Sequence, residues 1–116
     1  MAYLRKEKEI VEIDYSLGKI WVAIPKAIKS LEWTVEQVDD KAHIVKAKSK
    51  AGFMSYASVL IINVVAVDKK TARLTVTAET PVTTITSITA FGRTRARIEL
   101  FFRALEKQLT SHKNTE

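Results

Sequence analysis

Two histidines, no cysteine and a scatter of carboxylates are the reactive side chains this chain has to offer. The lack of cysteine removes disulfides, thiolate metal sites and a cysteine nucleophile together. His43 opens the alternating segment HIVKAKSK and shares a side with Val45, Ala47 and Ser49. A lone strand histidine with no carboxylate fixed beside it reads as a packed or edge residue rather than a general base. His112 falls in a polar tail. The acidic pair Asp39-Asp40 stands in a turn-forming run before Lys41, without further oxygen ligands close in sequence, so turn chemistry accounts for it. Asp14, just ahead of a helix start, reads as a capping or helix-dipole residue. No glycine-rich phosphate loop, nucleophile elbow or histidine pair at metal-ligand spacing is present. The expectation is a protein that is not an enzyme and needs neither cofactor nor metal.

Charge leaves one further kind of chemistry, the holding of anions. The formal charge is +6 and the sequence pI about 9.7. A basic balance attracts polyanions, while lysine-rich surfaces also serve solubility and are frequent in thermophiles. The cations fall into two groups. Lys46, Lys48 and Lys50 alternate along a strand, and Arg93, Arg97, Arg103 and Lys107 occupy the outward face of the last helix. These seven are the candidate anion-binding residues. Arg93, Arg95 and Arg97 stand near that helix's start, against its macrodipole, a small cost that a bound anion would offset.

The elements that would position these side chains follow from periodicity. Thr89 to Leu109 places Phe91, Ile98, Phe101, Phe102, Leu105 and Leu109 in one stripe, the mark of a core-facing helix. Met1 to Lys8 reads as a frayed start, and Glu9 to Tyr15 as a strand with Val11, Ile13 and Tyr15 on one side. Ser16 is placed to cap a first helix whose stripe is Leu17, Ile20, Trp21, Ile24, Ile28 and Leu31, with Lys19, Lys26, Lys29 and Ser30 facing away. Pro25 inside it should kink the axis. Four strands follow: TVEQV from Thr34, His43 to Lys50, Ser58 to Val67, and RLTVTAET from Arg73, which Pro81 should end. Ala51-Gly52 breaks the chain before Phe53 to Tyr56, and Ser87 or Thr89 caps the last helix. Sequential hairpins make an antiparallel sheet, and two amphipathic helices must cover one of its faces. The fold class is therefore α+β, a two-layer sandwich in the order β-α-β-β-β-β-α with both helices on one face. The chain reads as a single domain over 1–116, with its core over 9–109 and a polar tail from Ser111.

The succession SLGKIWVAIPKAIKSLEW, HIVKAK and GRTRARIELFFRALEKQL resembles small uncharacterised helix-plus-sheet domains, through Trp21, Ala27, Trp33, Val45, Ala47, Gly92 and Ile98. The element order is similar to one repeat of the TATA-box-binding-protein fold and, more loosely, to helix-grip domains of the birch-allergen type. Both likenesses imply a fold and carry no active site. With one saddle repeat where the transcription factor has two, DNA binding would require a dimer.

One surface stands out. If Leu60, Ile62, Val64 and Ala66 face the helices, then Val59, Ile61, Asn63, Val65 and Val67 face outward, where a half-solvated strand should be polar. An apolar patch on an open sheet usually marks an interface. The expected role is a small cytoplasmic binding or assembly module that self-associates through this face as a homo-oligomer. The alternatives are a carrier holding a small apolar ligand near Trp21, Phe101 and Phe102, and a dimeric nucleic-acid-binding protein. No membrane role is expected, since the longest nearly apolar run, Val59 to Val67, is too short to span a bilayer as a helix.

Overall fold

The computed structural model describes the backbone of residues 3–50, 57–82 and 87–114, and side chains over 6–50, 57–80 and 95–110. The elements are β1 (Tyr3–Ile13), α1 (Leu17–Ser30), β2 (Thr34–Asp39), β3 (Ile44–Lys48), β4 (Val59–Ala66), β5 (Ala72–Val82) and α2 (Ser87–Asn114). The strands form one antiparallel sheet in the order β1-β5-β4-β3-β2, and α1 and α2 lie together on one side of it. The α+β sandwich and its element order are those the periodicity implies.

Alternation decides which side chains enter the interlayer. Val45 and Ala47 of β3, Leu60, Ile62 and Val64 of β4, and Leu74, Val76 and Ala78 of β5 are buried against Ile20, Ile24 and Ile28 of α1 and Ile98, Phe101 and Leu105 of α2. Ser16 caps α1 by accepting from the Lys19 backbone N–H at 3.3 Å. The helix then runs unbroken through Pro25 to Ser30. It stops in a 6→1 and 5→2 closure: Trp33 N–H donates to the Ile28 carbonyl and Glu32 N–H to that of Lys29. Glu32 takes the left-handed conformation this stop requires, with φ of 62°.

Several boundaries differ from the expectation; β3 and β4 are each shorter than expected, at Ile44–Lys48 and Val59–Ala66. β1 begins at Tyr3 rather than Glu9, and Lys6, Glu7 and Lys8 pair with Glu79, Ala78 and Thr77. The run KEKE is itself a period-2 pattern, and alternating charges suit a strand at a sheet edge. β5 continues through Pro81 to Val82: β4 starts at Val59 opposite Glu79, so among the described strands β5 has β1 alone as a ladder partner there. A proline is tolerated where no second neighbour needs its missing N–H. α2 starts at Ser87, so Ser87 and Thr89 both lie within it rather than capping it, and it extends into the expected tail. The break at Ala51-Gly52, the approach Phe53 to Tyr56, and the side chains of Phe91, Arg93 and His112 lie outside the described residues.

Candidate functional site

At the end of the sandwich where β1 hands over to α1, the packing of the two helices leaves a groove. Tyr15 follows β1 in a tight turn, its N–H donating to the Ile13 carbonyl at 2.8 Å. One face of α1 then presents Gly18, Lys19, Val22, Ala23 and Lys26 to Gln108 and Leu109 of α2. The hollow between them measures 340 Å³. A second hollow of 280 Å³ lies on the other side of α2, between Val11 and Ile13 of β1 and Phe102, Leu105, Glu106 and Thr110. Tyr15 and Leu109 belong to both walls. The two grooves thus flank the C-terminal half of α2 and have these two residues in common. Volumes of this order fall at the lower end of small-ligand sites, which run from about 300 to 1,000 Å³.

Gly18 is informative in this setting. Glycine in a helix interior costs about 0.5–1 kcal/mol relative to alanine, somewhat less in the first turn. Its backbone is not left-handed, and a Cβ placed there meets nothing within 4 Å. Neither turn geometry nor close packing therefore calls for glycine. What it keeps is empty space beside Tyr15 and Val22, the latter 60% exposed.

The opposite end of the interlayer is polar. Ser49, Ser58 and Thr80 are buried side by side. Ser58 N–H donates to Ser49 Oγ at 2.7 Å, Ser49 N–H donates to the Ser58 carbonyl at 2.8 Å, and the Ser58 and Thr80 hydroxyls share a hydrogen bond. From α2, Arg97 Nη1 donates to Ser58 Oγ. Arg95 approaches Glu9 of β1 at 3.6 Å. This network fastens α2 to the sheet. The expectation that Arg97 faces solvent is corrected here: α2 crosses β5 and β1 at this point, and the sheet offers Arg97 a buried hydroxyl as acceptor. Nothing in the local sequence marks Ser49, Ser58 and Thr80, which only the β3–β4–β5 register assembles.

The residues singled out from the sequence stand elsewhere. Val59, Ile61 and Asn63 are half-buried on the outer sheet face, with Val65 and Val67 exposed at its end, 51% and 46%. Ala66 is exposed as well, at the end of β4. Across the strands, Ile61 lies between Thr77 and Lys46, Val59 between Glu79 and Lys48, and Val65 beside Arg73. Lys6 pairs with Glu79 at 3.7 Å and Arg73 with Glu12 at 2.9 Å on this same face. Lys46 and Lys48 therefore belong to the outer sheet face, while Arg103 and Lys107 are exposed on α2, on the other side of the sandwich. Lys50 pairs with Glu32 at 3.2 Å. The fold does not gather the described cations into one surface.

Asp39 Oδ1 accepts from the backbone N–H groups of Lys41 and Ala42 at 3.0 Å, as turn chemistry requires. Asp40 accepts from Trp21 Nε1 at 3.1 Å, and His43 packs edge-on against the same indole at 5.1 Å. Trp21 is thus spent on fixing α1 to the β2–β3 turn. Phe101 is fully buried, and of the three aromatics expected around a cavity only Phe102 lines a groove among the described residues.

No protein-family model matches the chain, and no curated protein sequence matches it. Solved structures do resemble it. Norcoclaurine synthase from Thalictrum flavum, in complex with dopamine and hydroxybenzaldehyde, superposes with a TM-score of 0.72 at 13% identity, over 96% of this chain and 89% of that one. Ara h 8.0201 gives 0.69 at 8% identity, over 94% and 99%. A conserved protein from Geobacillus kaustophilus gives 0.56 at 10% identity, over 92% and 96%. The fold is of the helix-grip kind, and at these identities the likeness establishes the fold alone. It is compatible with the TATA-box-binding repeat only loosely. Among the described residues no helix is long and apolar enough to cross a membrane.

Proposed function

We propose that this chain is a small-ligand-binding module, a carrier that holds a molecule with an apolar body in the grooves flanking the C-terminal half of α2. The observation that carries this reading is Gly18, a helix residue whose missing side chain leaves open a hollow walled by Tyr15, Val22, Ala23 and Leu109. Concave, mostly apolar walls with a few polar groups at the rim are what small-ligand sites offer. The helix-grip fold adds support, since norcoclaurine synthase is seen with two small aromatic molecules bound. A carrier is favoured over a catalyst because Tyr15, Lys19 and Lys26 share no side-chain hydrogen bond that would set up an acid–base pair.

The test is to fill the space. Gly18→Trp places an indole where a Cβ meets no atom, and replacing a helical glycine should leave stability unchanged or slightly raised. Decanol binding, followed by calorimetry, is expected in the native chain and lost in Gly18→Trp at an unchanged unfolding midpoint. Undiminished decanol affinity in a folded Gly18→Trp variant would overturn the reading.

A further inference from the structure

The two grooves differ in charge. In the α1–α2 groove the charged residues among those described are Lys19 and Lys26, both on α1, and no described carboxylate lines it. In the β1–α2 groove the charged residue among those described is Glu106. Lys19 and Lys26 take part in none of the ion pairs among the described residues, whereas Lys6, Lys50, Arg73 and Arg95 each have a carboxylate within 4 Å. Seven residues apart, the two lysines stand about 10.5 Å from each other along the helix, on the same side. Their long stems allow both ammonium groups to reach one small anion over the groove.

We infer that the ligand of this site is an anionic amphiphile, a carboxylate with an apolar chain or ring, bound in one direction. This rests on the carrier reading above and adds the polar end of the ligand to it. The carboxylate lies between Lys19 and Lys26, with the Gln108 amide at the rim as a further donor. The apolar body passes Tyr15 and Leu109 toward Phe102. Glu106 repels an anion from the far groove and so sets the direction. Lys19 and Lys26, which the helical periodicity assigns simply to the face away from the core, thereby acquire a specific task.

The experiment compares three probes of equal chain length, decanoate, decanol and decylamine, by calorimetry on the native chain and on Lys19→Gln with Lys26→Gln. The native chain is expected to bind decanoate about tenfold more tightly than decanol, the scale of two solvent-facing ion pairs, and decylamine most weakly. The double variant should lose the preference for decanoate over decanol. Added salt should weaken decanoate and leave decanol unaffected. Equal binding of decanoate and decanol to the native chain, or a preference that survives in the double variant, overturns the anionic assignment and leaves the carrier standing. Binding of none of the three overturns the carrier reading and this inference with it.

Discussion

The grooves beside α2 and the outer face of the sheet are both rich in aliphatic side chains, yet they are different kinds of surface. On the outer face the apolar residues of β4 are separated by their neighbours across the strands. One row reads Lys8, Thr77, Ile61, Lys46, Gln37, and the next begins Lys6, Glu79, Val59, Lys48. None of β4's outward aliphatics has an aliphatic partner directly opposite on β5, which presents Glu79, Thr77, Thr75 and Arg73. In the grooves the apolar residues are contiguous and concave, drawn from β1, α1 and α2. What an apolar run in one strand makes of a sheet face depends on the strands on either side, which decide what lies between its side chains.

That contrast can be broken from several directions. The largest effect is expected at Phe101, fully buried where α2 meets the sheet. Phe101→Ala should cost about 3–5 kcal/mol in chemical denaturation and abolish decanol binding along with the fold. A smaller loss is expected at the polar end. Ser58→Ala removes one acceptor of Arg97 and one member of the buried hydroxyl pair, for a cost of about 1–3 kcal/mol. The groove lies at the other end of α2, so decanol affinity should survive this change, which separates fastening from binding. The smallest effect is expected on the outer face. Ile61→Lys with Val65→Lys should change stability by about 1 kcal/mol or less and leave both decanol affinity and the solution mass by light scattering unaltered. A dimer that dissociates in this double variant would make the outer face an interface and would break the contrast.

The sequence carried the layers well, because the interlayer residues announce themselves by period. Ile20, Ile24 and Ile28 recur at helical spacing, and Leu60, Ile62 and Val64 alternate. It carried the edges less well. The run KEKE at Lys6 to Glu9 is polar in composition but strand-like in alternation, and pairing with β5 decides the matter. The groove was out of reach for a different reason: Tyr15 to Lys26 and Phe102 to Thr110 are far apart in the chain, and only the crossing of α1 over α2 brings them together. Gly18 was the one local signal, a glycine at the second position of a well-capped helix. The polar end was hidden in the same way, since Ser49, Ser58, Thr80 and Arg97 come from four separate segments.

The central claim is tested most directly by amide chemical-shift mapping of the native chain titrated with decanol. Perturbations confined to Tyr15, Gly18, Val22, Leu105 and Leu109 are the result predicted here. Perturbations centred on Ile61, Asn63 and Val65, with the groove residues silent, would contradict it.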